Sequence, residues 1–195
     1  MLSAAHSLFV DQGYGATSMA EVARRAGVAL KTVYLVFPAK PALLDAVIGT
    51  ALAGDDRPDS LRGRAWFHET LLASADELVQ LFSLRTAELM ERAALVLQVA
   101  EAAADADPVI RRRRDVARHR RWADIRLVAD ALARHRPGLD VEAATDVMYT
   151  LAAAHNYAQL VGERGWTRER YVAWLAGSLH CSLPIIQSQA QSSIS

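Results

Sequence analysis

This chain of 195 residues has a single cysteine, Cys181, which excludes an internal disulfide and fits a reducing compartment. Lysine is almost as scarce. Only two stand against twenty arginines, and both, Lys31 and Lys40, fall in one short stretch near the N-terminus. Net charge is absent too: 22 basic side chains face 22 acidic ones, so attraction to a polyanion must come from local placement of charge. No uncharged apolar run approaches the length of a membrane span, and the N-terminus lacks the charged and apolar sections of a signal peptide. A soluble cytoplasmic chain with no membrane partner is expected. His6, His68, His119, His135, His155 and His180 show no metal-ligand spacing. With no glycine-rich phosphate loop, nucleophile motif or paired carboxylates in an apolar setting, the expectation is no metal, no cofactor, no catalytic residue and no enzyme.

What is present begins with residues 17–40, TSMAEVARRAGVALKTVYLVFPAK. Met19, Val22, Ala23 and Ala26 recur at i, i+3, i+4 and i+7, the apolar stripe of a short helix, and Gly27 is placed to end it in the left-handed conformation. A second short helix, from about Leu30 to Phe37, has Val33 and Phe37 to bury. That leaves Leu30, Lys31, Thr32, Tyr34 and Leu35 to face outward, a form suited to a DNA major groove. Locally Arg24, Arg25, Lys31 and Lys40 stand against Glu21, four cations to one anion. Ser18 and Glu21 match a capping box with Thr17 a competing cap, and either hydroxyl would sit where free backbone N–H groups favour a phosphate. Lys40 opens the next helix at the positive end of its dipole, a position a bound phosphate would make favourable.

Around this stretch the whole chain reads as helix. Leu2, Ala5, Leu8 and Phe9 predict a first helix ending before the glycines of QGYG, and Leu43, Leu44, Val47 and Ile48 one from about Ala39 to Ala53. The polar stretch GDDRPDSLRGR, 54–64, is the candidate domain boundary, dividing residues 1–53 from 54–183. Beyond it come a short helix with Trp66 and Phe67, a long one over about 75–104, and one opened by Asp107 and Pro108 that runs to about Arg136. Asp140 caps a helix expected to continue to about Glu163, and Thr167 caps the last, packed antiparallel to it. Their wide apolar face, including Val147, Leu151, Leu160, Trp166, Tyr171, Trp174, Leu175 and Leu179, suits a two-fold copy of the chain. Residues 184–195, uncharged and rich in Ser and Gln, are expected to form a disordered tail.

The run LSAAHSLFVDQGYGATSMAEVARRAGVALKTVYLVFPAKPALLDAV resembles the N-terminal DNA-binding domain of the TetR family of transcriptional regulators, through its AAxxLF helix, GYxATS, VAxRAGV and TVYxxF segments and the lysine followed by ALL. DVEAATDVMYTL and ERGWTRERYVAWL are similar to the final helix pair of one group within that family. The resemblance implies an all-α fold, with an N-terminal three-helix helix-turn-helix domain and a C-terminal helical ligand-binding and dimerisation domain. It implies a homodimer on a palindromic operator of double-stranded DNA, most simply a repressor, released by a small-molecule effector. Leu30, Lys31 and Tyr34 fall where the family meets bases and nearby phosphates; Thr17 or Ser18, Thr32 and Lys40 fall where it meets the backbone.

The candidate effector contacts are Trp66, Phe67, Phe82, Met90, Trp122, Met148 and His155, a mostly apolar set that points to a hydrophobic or aromatic ligand. The arginine run 111–121 has its charges spread around several helical faces, as expected of a salt-bridged surface facing acidic side chains of neighbouring helices. A second reading is a helical small-molecule binding protein that no longer reads DNA specifically. It draws on Ala29, which stands where the family usually has a hydroxyl cap, and on the want of a basic arm ahead of the first helix.

Overall fold

The computed structural model describes residues 1–54 and 61–184, and it is helical throughout with no strand among them. The helices are α1 (Leu2–Ala16), α2 (Met19–Arg25), α3 (Leu30–Val36), α4 (Lys40–Ala53), α5 (Ala65–Leu72), α6 (Ala75–Ala106), α7 (Pro108–Ala133), α8 (Val141–Leu151), α9 (Ala154–Tyr157, continuing as a π-helical turn over Ala158–Glu163) and α10 (Arg168–Ser182). No single helix among the described residues is long and apolar enough to cross a membrane. The expected tail lies, apart from Pro184, outside the described residues, as does most of the proposed boundary segment.

Local chemistry sets most helix ends. Ser74 and Glu77 form a reciprocal cap on α6, the Ser74 N–H and hydroxyl both donating to the Glu77 carboxylate at 3.2 and 2.7 Å. Asp107 accepts from the N–H of Val109 at 2.8 Å, Asp140 from Ala143 at 3.1 Å and Thr167 from Arg170 at 3.2 Å, each closing the first turn that follows it. The Asp140 N–H donates to the carbonyl of Pro184, so the start of α8 meets the end of α10 and the two run antiparallel.

One expectation is met with an addition and one fails. The first helical segment of α1 ends at the QGYG glycines, at Gly13, where φ is +83°, and one further turn beyond the break carries Tyr14 back under Phe9, the rings 5.9 Å apart. The helix from Asp140 does not reach Glu163 unbroken. Ala153 is extended (φ −68°, ψ 144°), and the Asn156 carboxamide donates to the carbonyls of Thr150 and Leu151 at 2.9 and 3.1 Å, a side-chain cap that ends α8.

The hydrophobic residues gather into two cores joined by α6. One holds Leu78, Val79, Phe82 and Met90 of α6 with Ile125 and Leu132 of α7, Met148 of α8, Tyr157 of α9 and Tyr171, Leu175 and Leu179 of α10. The other packs Ala5, Leu8, Phe9 and Tyr14 against Met19, Val22, Val33, Leu43, Leu44 and Val47, and it is completed by Val96, Ala100 and Ala104 from the last turns of α6 and by Ile110 of α7. Polar clamps reinforce the junction. Arg92 on α6 donates to the carbonyls of Ala51 and Leu52 at the end of α4, and Arg113 on α7 pairs with Asp45 in the middle of α4.

Candidate nucleic-acid interface

The geometry of the reading unit follows from its turn. Ala26 ends α2, and Gly27 takes φ +66°, a conformation that glycine adopts without steric cost. The next N–H, of Val28, donates back to the carbonyl of Ala23 at 3.0 Å, and the Val28 side chain packs into the N-terminal core. α3 leaves this turn at an angle, held chiefly by Val33, which is fully buried, and by half-buried Phe37. Leu30, Lys31, Thr32 and Tyr34 are all exposed, as are Leu35 and Val36. Leu35, at 75% exposure, is an apolar side chain that folding alone does not explain. The start of α3 has no side-chain cap, because Ala29 supplies none.

The flanking positions divide. Ser18 is exposed and its hydroxyl accepts from the Glu21 N–H at 3.1 Å, while its own proton stays available. The reciprocal half of the expected capping box is missing, since the Glu21 carboxylate accepts instead from the Gln12 side chain at 2.8 Å. Thr17 is only 2% exposed; its hydroxyl donates within the fold, 2.8 Å from the Gly13 carbonyl and 3.2 Å from that of Leu8. It therefore serves the broken end of α1, and of the two candidate hydroxyls only Ser18 faces solvent.

Lys40 is likewise engaged inside the domain. Its ammonium donates to the carbonyls of Tyr14 and Thr17 at 2.8 and 2.9 Å and lies 4.2 Å from the centre of the Tyr14 ring. Its place in the sequence sets Lys40 against the dipole of its own helix, but the side chain crosses to the carbonyl end of α1, where a cation is favoured. Partial burial pulls its pKa below 10.5, with Asp107 acting in the opposite direction. One ammonium N–H remains for an external acceptor. Tyr14, to which the sequence assigns no role, is the hub of this corner: burial foremost, then the nearby Asp107 carboxylate that its hydroxyl meets, pushes its pKa up to about 12. Around α2, Arg24 and Arg25 approach Glu21 and Asp11 only at 4.0 Å and stay largely exposed, which leaves their charge to the surface.

Of the candidate effector contacts, Phe67, Phe82, Met90 and Met148 are buried in the C-terminal core, while Trp66 and Trp122 are partly buried, the latter donating its indole N–H to Asp146 at 2.9 Å. His155, placed by its sequence among apolar residues, is exposed, because the break before α9 turns it out of the core. A groove of about 670 Å³ lies elsewhere, between Val10 and Tyr14 of α1 and Leu95, Gln98 and Ala102 of α6. Of the proposed dimer residues, Tyr171, Leu175 and Leu179 are fully buried within the protomer's own core, whereas Val147, Leu151, Leu160, Trp166 and Trp174 remain partly exposed. The arginine run is largely paired as expected, Arg113 with Asp45, Arg114 and Arg118 with Glu101, and Arg111 with the carbonyls of Ala104 and Asp105.

Comparison with known proteins agrees with this geometry. Residues 1–47 match the model of the bacterial regulatory proteins of the tetR family. No curated protein matches the chain. Among solved structures, a transcriptional regulator from Aquifex aeolicus VF5 is 18% identical with a TM-score of 0.68, covering 92% of this chain and 95% of its own. The TetR family transcriptional regulator PfmR from Thermus thermophilus is 20% identical (TM-score 0.66; 92% and 96% covered). MexZ of Pseudomonas aeruginosa, described as a key repressor responsible for antibiotic resistance, is also 20% identical (TM-score 0.61; 96% and 94% covered). Over its first 47 residues the chain thus matches the model of the tetR-family regulatory proteins, and over nearly all its length it has the fold of these solved transcriptional regulators.

Proposed function

We propose that the protein is a homodimeric repressor that holds a palindromic operator with its two α3 helices and leaves it when a small hydrophobic or aromatic effector binds the C-terminal helices. The observation that carries this reading is α3 itself: a helix with only Val33 fully buried, presenting Leu30, Lys31, Thr32 and Tyr34 to solvent on one compact unit. Lys31 suits guanine O6 or N7, Leu30 a thymine methyl and Tyr34 either a base or a phosphate. Ser18, Thr32 and the remaining N–H of Lys40 suit phosphates, which set register without reading sequence. Two such units read half-sites about one helical turn, roughly 34 Å, apart. The partly exposed apolar residues of α8, the π-helical turn and α10 suit the two-fold contact that would fix that spacing. Repression, rather than activation, draws support from the resemblance in fold to MexZ.

Nuclease protection on DNA upstream of the protein's own gene tests the reading. The expected result is a palindromic footprint, lost on adding an effector, with Lys31→Ala relaxing base preference by about 1–3 kcal/mol at one position of each half-site. No specific footprint on any genomic fragment refutes it. That result would favour the alternative of a helical small-molecule binding protein, to which the uncapped start of α3 gives some support.

A further inference from the structure

One arginine of the 111–121 run departs from its neighbours. Arg121 turns inward, donates from one terminal nitrogen to the Tyr149 carbonyl at 2.8 Å and lies 4.2 Å over the Tyr149 ring, but no carboxylate among the described residues pairs with it. Burial pulls its pKa below the usual arginine value, and the neighbours that oppose this are phenols, Tyr149 and Tyr171. Tyr171 is itself fully buried, and its hydroxyl has no hydrogen-bond partner. Burial holds that phenol protonated, so it is a donor in want of an acceptor. A half-buried cation without a counter-ion, close enough to a buried unsatisfied donor for each to influence the other's protonation, is costly unless something else completes the pair. The surroundings are aromatic: the ring of Tyr171 lies 4.8 Å from that of Tyr157 and 5.5 Å from that of Trp174. Directly after Tyr157 the chain runs as a π-helix, a form that recurs at functional sites.

We propose that Arg121 and Tyr171 anchor the effector, gripping a single carboxylate on an otherwise apolar or aromatic molecule. The inference deepens the effector half of the proposed function and rests on it. One guanidinium offers one positive charge, which suits a monoanion rather than a phosphate dianion. With one nitrogen committed to Tyr149, its other N–H groups still form the planar fork that carboxylates accept. The Tyr171 hydroxyl supplies a further donor. Arg121 also closes the last turn of α8 through the Tyr149 carbonyl, so a carboxylate drawing on the guanidinium would act directly on the end of that helix.

The test is a tryptophan-fluorescence titration of the full-length protein, free of DNA, with benzoate and octanoate, each against its neutral amide. Both acids should bind, at least one of them about tenfold or more tighter than its amide, as expected for hydrogen bonds to a charged group. Arg121→Lys should keep the preference in reduced form, and Arg121→Met should abolish it. Tyr171→Phe should weaken acid binding several-fold, leave amide binding unchanged, and raise the melting temperature, because it removes a buried hydroxyl without a partner. Equal affinity for acid and amide, no saturation by either acid at millimolar concentration, or a lower melting temperature for Tyr171→Phe overturns the proposal. Since no DNA is present, a missing footprint would sink the repressor reading and leave this one standing, and acid–amide indifference would do the reverse.

Discussion

Replacing Lys40 with alanine removes a brace, and its cost can be worked from the contacts. Two ammonium–carbonyl hydrogen bonds, 2.8 Å to Tyr14 and 2.9 Å to Thr17, are partly buried and contribute about 1 kcal/mol each at such a site. The cation over the Tyr14 ring adds roughly 0.5–1 kcal/mol. Against this stand up to about 2 kcal/mol of side-chain entropy for a fixed lysine and a few tenths for its place at the start of α4. The balance is a loss of about 1 kcal/mol of stability in the absence of DNA. Reversible urea unfolding followed by circular dichroism reads it as a lower midpoint at unchanged slope. DNA affinity should also fall, with the salt slope flattened by at most about one unit per protomer, since one N–H is left for a phosphate. An unfolding midpoint equal to that of the wild type would refute the brace and return Lys40 to a purely external role.

Other expectations follow from the same corner and from α8. Tyr14 holds its proton up to about pH 12 in the folded protein against 10.0 for the free phenol. A group whose folded pKa is raised contributes stability that is complete below the unfolded value and is lost as pH rises through the folded one, so the loss falls between pH 10 and 12. It amounts to roughly 2 kcal/mol once the solvent that still screens part of the site is allowed for, and Tyr14→Phe should remove it from an alkaline unfolding series. Thr17→Val should cost about 1–2 kcal/mol of stability and leave the affinity of the folded protein for DNA unchanged; a drop in affinity alone would place its hydroxyl on a phosphate. Asn156→Ala frees the last carbonyls of α8 and should lower stability by about 1 kcal/mol, read by thermal melting.

The parts legible in the sequence are those governed by chemistry within one turn. Gly27 ends α2, and Ser18, Asp107, Asp140 and Thr167 cap the helices that follow them, each within a few residues of its effect. The outward face of α3 was legible for the same reason: a helix with few apolar positions has few ways to be buried. Distance along the chain hid the rest. Lys40 reaches back 26 residues to Tyr14, and nothing local distinguishes that from a free surface lysine. The break after Ala152 carries no glycine or proline, and its cause is an asparagine a few residues on. Tyr171, Leu175 and Leu179 recur at helical spacing, which fixes a common face but not whether the chain itself or a second copy covers it. Arg121 differs from Arg118 only in the side of α7 it occupies, a difference that appears once α8 and α10 are in place.

α6 belongs to two cores at once, its first turns to the C-terminal cluster and Val96, Ala100 and Ala104 to the N-terminal one. The reading head is therefore not a cassette. Cut at residue 53, it would lose the wall against which Leu44 and Phe9 close, and grafted onto another body it would need the tail of this helix and Ile110 to travel with it. The same continuity gives the molecule a shaft: a shift of α6 in the half that belongs to the C-terminal core is carried past any linker, because the far half of the same rod is already part of the surface on which α1 and α4 rest.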